Sequence, residues 1–207
     1  MQKFIKRLLD IILAIILFIP ASIMLLFGML LVACKSPDSS PIFRQKRIGY
    51  KGKEFTLIKL RSMTNDRDKN GDLLPDEQRL KTWGKIIRKT NIDELYQIWN
   101  IFKGDMSFIG PRPLLSKEML VMTENEQTER QSMRPGITGW EAVHEGESST
   151  RRQMAEQDLY YVRNWSLKLD WLVFYKTLLI IFGFQRPDDS IRAPKMTDDQ
   201  IIENKKI

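Results

Sequence analysis

One cysteine, Cys34, and one histidine, His144, are all that the 207-residue chain holds of either residue. A lone thiol excludes an internal disulfide. A lone imidazole leaves no set for a zinc site and no partner for a Ser-His triad. Acid is also short against base: 26 Asp+Glu face 33 Lys+Arg, a formal charge of +7 at pH 7. That excess suits a polyanion, whether nucleic acid, an anionic membrane surface or a phosphorylated ligand. No nucleic-acid motif or basic recognition helix accompanies the charge, so no nucleic-acid partner is expected. Repeats and low-complexity tracts are missing too, and the length suits one domain of ordinary size.

What is present begins with an apolar run. Residues 11–34 carry no charge, with Lys3, Lys6, Arg7 and Asp10 before them and Lys35 after. As a helix, 24 residues exceed the roughly 20 needed to cross a hydrocarbon core. The run is too long for the core of a signal peptide, and no small-x-small cleavage site follows. Cationic residues at both ends leave the positive-inside rule without a direction. Pro20, near the middle, removes one helix hydrogen bond and predicts a kink. Two arrangements fit: a single span with a tolerated proline, or a re-entrant hairpin broken at Pro20 with both ends on one face. Cys34 reads as a simple interfacial thiol.

The second feature is RKTNIDELYQIWNIFKGDMSFIGPRP, residues 88–113. Asp93 and Glu94 sit between the basic pair Arg88–Lys89 and a stiff Gly110-Pro111-Arg112-Pro113 turn. Thr90 or Asn91 is placed to cap a helix, and Asn91 with Glu94 has the spacing of a capping box. Ile92, Leu95, Ile98, Trp99 and Phe102 recur at helical spacing and predict the buried face. Acids are common in a first helical turn because its N–H groups favour negative charge. The same field also binds phosphate and keeps a carboxylate ionised for nucleophilic attack. Spacing alone leaves both readings open.

Between these lie two apolar-rich runs around Gly49-Tyr50-Lys51-Gly52, Ile42–Ile48 and Glu54–Met63, which predict a β-hairpin. Alternation puts Phe55, Leu57, Lys59 and Arg61 on one face. The two cations either clamp a phosphate or protect a solvated edge. Residues 65–77 read as a polar surface loop whose acid spacing does not match a calcium loop. Residues 79–88 read as a helix or turn anchored by Trp83, Ile86 and Ile87.

Together, KRLLDIILA, PIFRQKRIGYKGKEFTLIKLRSM, IRKTNIDELYQIWNIFKGDMSFIGPRP and RPGITGW resemble the bacterial sugar transferases called monotopic phosphoglycosyl transferases. The resemblance covers most of residues 1–180 and implies a small, catalytic-domain-only member. It implies a re-entrant helix hairpin broken at Pro20 and a small cytosolic α/β domain half-sunk in one leaflet. The implied reaction moves a sugar 1-phosphate from a UDP-sugar to polyprenyl (undecaprenyl) phosphate and releases UMP. The matching positions make Asp93 the covalent nucleophile, Asp93 and Glu94 the pair that works with Mg²⁺, and Lys59, Arg61, Arg88 and Arg112 the phosphate-binding cations. A bacterial inner-membrane location follows, with the catalytic domain on the cytoplasmic face. A homodimer or a contact with later glycan-assembly enzymes would suit that place. After Gly139-Trp140 the chain departs from the family: EAVHEGESSTRR stands where relatives carry a sequence like AQVNGR, so Arg151 or Arg152 is left to supply the missing nucleotide cation. His144 reads as a loop residue without a chemical role. The alternative class is a non-catalytic, membrane-anchored basic module that binds anionic lipid or scaffolds glycan enzymes.

The expected architecture is therefore α-rich mixed α/β, with a membrane hairpin over 1–36, a catalytic domain over 37–184 and a flexible tail over 185–207. Residues 117–133 and 153–164 read as helices, and 134–140 as a turn-rich segment over the site. Residues 165–184 (WSLKLDWLVFYKTLLIIFGF) read either as a helix on the bilayer surface or as an ordinary core helix.

Overall fold

The computed structural model describes residues 1–144 and 150–184. The expected tail, 185–207, lies outside them, as do Glu145, Gly146 and Glu147 of the divergent loop. The described chain is α-rich and mixed. It forms helices α1 (Gln2–Lys35), α2 (Asp76–Arg79), α3 (Thr82–Lys89), α4 (Gln97–Lys103), α5 (Glu124–Arg130), α6 (Trp140–His144), α7 (Arg151–Arg163) and α8 (Leu167–Ile181). Strands β1 (Ile42–Ile48) and β2 (Glu54–Leu60) form the expected two-stranded hairpin. Strands β3 (Ser107–Ile109) and β4 (Gly136–Thr138) pair in parallel, Ser107 against Gly136 and Ile109 against Thr138.

Two compact units share the chain: one of Ile11–Gln45 and Thr56–Lys103, the other of Met1–Asp10, Lys46–Phe55 and Gly104–Ile207. In the first unit α1 supplies one packed face. Leu25 and Val32 join Leu60 and Ile87 in a core flanked by Met29, Trp83, Ile92, Leu95 and Tyr96. Ala14 and Ala21 continue that face toward the N-terminus, and Phe18 meets Phe102 edge-on. The opposite face, including Ile12, Ile16, Ile19, Ile23 and Phe27, is exposed. The helix runs without interruption through Pro20, where a break into two helices was expected. The missing proline N–H costs one bond, and a long apolar helix absorbs that loss. Ser22 Oγ donates to the Phe18 carbonyl 2.7 Å away, adding a local partner beside the proline.

Asn100, fully buried, ties α4 to β2 by donating to the Thr56 carbonyl and accepting from Ile58 N–H. That inward turn of Asn100 and Ile101 leaves Trp99 about half exposed, against the sequence expectation. Ile86 is likewise exposed, while Ile87 is buried. Gly84 lets α3 approach the end of β2: a Cβ there would stand 1.9 Å from the Ser62 carbonyl oxygen.

In the second unit the Gly110–Gly136 contact brings β3 against β4; a Cβ on Gly110 would fall 2.3 Å from the Arg134 carbonyl oxygen. Residues 136–138, expected as turn, are thus a strand. Val143, Tyr161 and Val173 form the core beside them. The helix expected over 117–133 divides into a 3₁₀ segment, Ser116–Val121, and α5, which Thr123 and Glu126 open with a capping box. α8 divides its faces: Val173 is buried, whereas Trp171, Tyr175 and Ile181 are exposed. Buried Asp170 interrupts the apolar run because it accepts from Lys6, Tyr161 and Trp165.

Candidate active site

Asp93 and Glu94 occupy a 3₁₀ turn, Ile92–Glu94, between α3 and α4. The expected capping box does not form. Asn91 takes a left-handed conformation (φ 53°) and makes no side-chain cap. Asn tolerates that region, so it closes α3 and reverses the chain instead of opening a helix. Its carbonyl accepts from Glu94 N–H at 3.1 Å, which holds the turn. The acids are therefore presented on a tight corner, and the field they meet comes from side-chain cations.

Lys59 is the first of those cations. Its position on β2 lets Nζ reach Glu94 Oε1 at 2.7 Å, with both side chains part-buried. Asp93 is 8% exposed, and among the described residues no other side chain hydrogen-bonds to it. Burial pushes its carboxyl above the usual aspartate range; Lys59 opposes that shift, Glu94 reinforces it, and Arg88 opposes it more weakly. The sequence implied a carboxylate kept ionised by a helix terminus. The structure makes it a partly dehydrated carboxylate whose charge rests on Lys59 and Arg88. Arg88 Nε donates to Ser62 Oγ at 3.0 Å, which fixes the inner end of an exposed side chain.

Arg61 is used differently from Lys59. β2 ends at Leu60, and Arg61 N–H donates to the Pro41 carbonyl at 2.7 Å. Its guanidinium bonds the Ser40 carbonyl and Asn65 Oδ1 and lies over the Phe43 ring. It braces the 37–41 linker.

Arg112 belongs to the second unit. Its N–H donates to Asp158 and its carbonyl accepts from Arg130, while its side chain is 58% exposed, 3.9 Å from Glu141. The backbone is clamped and the guanidinium presented. Beside it is a cavity of about 240 Å³ lined by Arg112, Leu114, Glu118, Arg151 and Asp158. Arg151 therefore shares a cavity with Arg112, paired to Glu118. Arg152 does not; it is held by Glu126 and Glu156. His144 closes α6 and is not in a loop. Its ring stacks on Trp140 at 3.7 Å, and Nε2 lies 2.6 Å from Lys176 Nζ.

Sequence reasoning missed Glu118 and Asp158, which hold Arg151 and the Arg112 backbone. Both are ordinary acidic residues whose surroundings only the fold supplies. No cluster of three or more Asp, Glu, His or Cys side chains exists among the described residues. Two adjacent carboxylates still fit Mg²⁺, which takes its other oxygens from water and substrate phosphates and needs no protein cage.

A family model described as bacterial sugar transferase matches residues 1–183. The chain belongs to the bacterial sugar transferase family. This bacterial sugar transferase is 44% identical over 185 residues to the uncharacterized sugar transferase EpsL of Bacillus subtilis, covering 87% of this chain and 90% of that one. It is 37% identical over 193 residues to the UDP-N-acetylgalactosamine-undecaprenyl-phosphate N-acetylgalactosaminephosphotransferase of Aeromonas hydrophila, covering 87% of this chain but 44% of that one. It is 36% identical over 172 residues to the UDP-glucose:undecaprenyl-phosphate glucose-1-phosphate transferase of Xanthomonas campestris, covering 75% of this chain and 35% of that one. The chain thus spans nearly all of EpsL and less than half of the other two. Membership makes it an enzyme of that family.

Proposed function

We propose that this bacterial sugar transferase moves a sugar 1-phosphate from a UDP-sugar to undecaprenyl phosphate, through a covalent phosphosugar on Asp93. The observation that carries the reading is Asp93 itself: a buried carboxylate that no other side chain bonds among the described residues, on the same turn as Glu94, which Lys59 holds at 2.7 Å. The two substituted relatives named above act, by their names, on UDP-sugars and undecaprenyl phosphate. Their sugars differ, so membership selects no donor.

In the first step an Asp93 oxygen attacks the phosphorus that carries the sugar. The bond from that phosphorus to the bridging oxygen breaks, and UMP leaves with the electron pair. An anion attacking an anion needs its partner's charge offset, and Lys59 and Arg88 are placed to do so. Partial dehydration strips water from the nucleophile before attack. In the second step a phosphate oxygen of the acceptor attacks the acyl phosphate. Asp93 returns as carboxylate, and the product is a polyprenyl diphosphate sugar. Glu94 is within reach to accept a proton from an acceptor that arrives protonated. Mg²⁺, held by Asp93 and Glu94 with the donor phosphates, would neutralise developing charge on phosphate oxygens. Arg112 and Arg151, which line one cavity within their own unit, are proposed as phosphate-binding cations.

The membrane part of the reading rests on α1. Its mean hydropathy is 2.8 over the best window. Yet Lys6, Arg7 and Asp10 at one end bond Asp170, the Met106 carbonyl and Ser107 of the second unit. From Ala14 to Val32 the same helix packs in the first unit. The proposed arrangement is monotopic: the exposed face of α1, which includes Ile12, Ile16, Ile19, Ile23 and Phe27, enters one leaflet while the opposite face stays on folded protein.

Incubation of the purified chain with Mg²⁺ and a panel of UDP-sugars, without acceptor, tests the reaction. Mass spectrometry should find one sugar-phosphate on the peptide containing Asp93, with matching UMP. Absence of both with every donor would remove the proposal.

A further inference from the structure

An apolar groove runs along α1 within the first unit. It holds about 380 Å³ and is walled by Ser22, Leu25 and Met29 of α1, Ile58 of β2, and Ile98 and Trp99 of α4. From Phe18 to Met29 it follows about three turns of α1, roughly 16 Å. Two polar groups also line it: the Arg44 guanidinium and the Tyr96 phenol. Arg44 is exposed, and no ion pair engages it among the described residues. The Tyr96 hydroxyl lies 2.9 Å from Met29 Sδ, a weak acceptor that a phosphate oxygen would outcompete. Ser22 offers no such group, since its hydroxyl is held by the Phe18 carbonyl. Tyr96 follows Asp93 by three residues, on the same short segment between the 3₁₀ turn and α4.

We infer that this groove seats the isoprene units nearest the phosphate of the polyprenyl acceptor, with Arg44 and the Tyr96 hydroxyl receiving that phosphate. The inference rests on the proposed transferase reading and adds the acceptor's path to it. One cation and one hydroxyl at an otherwise apolar trough match a ligand with one anionic head and a long run of hydrocarbon. A nucleotide sugar, polar along its whole length, does not match that lining. Isoprene held along α1 keeps the tail at the depth of the helix face that is exposed for lipid, while the phosphate stays beside Asp93. Burying hydrocarbon that a bilayer already shelters contributes little affinity, so discrimination between lipids falls to the two polar groups and the groove's shape.

The test uses the full chain in nanodiscs without donor, and a polyprenyl phosphate bearing a diazirine on its first isoprene units. Crosslinks are expected within residues 18–29 and 95–99. Undecaprenyl phosphate should suppress them, and phosphatidylglycerol at the same mole fraction should not. Arg44→Gln is expected to raise the half-saturating acceptor concentration about tenfold, and Ser22→Trp to lower the ratio of acceptor-dependent turnover to Asp93 adduct about tenfold. Crosslinks elsewhere, or equal suppression by phosphatidylglycerol, overturn the groove. If adduct and UMP form while the label maps elsewhere, the groove fails and the transferase reading stands. If the label maps here and no UDP-sugar yields UMP, the transferase reading fails and the polyprenyl phosphate site stands.

Discussion

Asp93 and Asp158 are both buried aspartates, one in each unit, and they have opposite surroundings. Asp158 is 2% exposed and saturated: Arg130 donates to it from Nε and Nη2, and Arg112 donates from its backbone. Asp93 is 8% exposed and bonded by no other side chain among the described residues. Burial raises both carboxyls, but at Asp158 a direct guanidinium pair opposes the shift, whereas at Asp93 the opposition comes from cations acting at a distance. A saturated buried acid holds a structure together. One that no other side chain bonds costs stability and remains available to bond something else, which the proposed reaction requires of Asp93. The Arg130–Asp158 pair also clamps both sides of the Arg112 backbone in its own unit.

The largest effect should come from the unsaturated acid. Asp93→Asn is expected to lower acceptor-dependent turnover by roughly 10⁴-fold or more, as loss of a nucleophile does, and to abolish the adduct. Its melting temperature should not fall. A carboxyl whose folded pKa is raised loses stability as pH climbs through that pKa, so at neutral pH the amide relieves a cost. A clear drop in Tm at pH 7 would put Asp93 with the structural acids. Asp158→Ala should do the reverse. It strands Arg130 and removes the acceptor of Arg112 N–H, with a loss of roughly 3–5 kcal/mol. For a chain of this size that is roughly 6–20 °C in Tm, read by thermal denaturation. An unchanged Tm would break the comparison from its other side.

Lys59→Gln sharpens it further. Lys59 is the first-ranked group that holds the Asp93 carboxyl down against burial. Removing it raises that carboxyl further, so the acid limb of the pH–rate profile for adduct formation should move to higher pH. The rate on the plateau should fall by roughly 10²-fold, as for a lost electrostatic donor. A lower plateau with an unmoved acid limb would mean that Lys59 serves the phosphate and not Asp93.

The hairpin, the acidic pair and its neighbouring Lys59 were legible because each rests on local pattern: strand alternation, adjacent residues, a Gly-bearing turn. Asn91 was misread because one residue in a left-handed conformation turns a capping box into a chain reversal, and spacing carries no sign of φ. Residues 136–138 looked like a turn because a three-residue strand with glycine at its start has too little pattern to show. Asp158 was invisible: its role comes from Arg130, 28 residues away, and from a backbone N–H 46 residues away. The choice between Arg151 and Arg152 was equally closed to sequence, since adjacent residues on a helix point about 100° apart and only the neighbours say which way each faces.

That choice provides the smallest prediction, with the contrast moved from acids to bases. Arg152 is held by Glu126 and Glu156, Arg151 by Glu118. Glu126 accepts from Arg152 Nη1 and Nη2 at 2.9 and 2.7 Å and also from Thr123 N–H, which takes the Glu126 carboxyl from 4.5 down to about 2. A depressed carboxyl adds stability above its unfolded pKa, and that stability is lost as pH falls from 4.5 through about 2. Arg152→Gln removes the largest cause of the depression, so the acid-dependent part of the Tm between those pH values should shrink. The KM for the UDP-sugar should stay within about twofold, because Glu126 and Glu156 hold the Arg152 guanidinium. Arg151→Gln removes one of the groups that hold the Glu118 carboxyl down, so it too should trim the acid-dependent part of the Tm, but it alone should raise that KM by roughly tenfold, the worth of one charge-assisted phosphate contact. If the KM follows Arg152 instead, the cation held by Glu126 and Glu156 is the one that releases a carboxylate to hold the nucleotide, and a shared cavity with Arg112 does not mark the nucleotide cation.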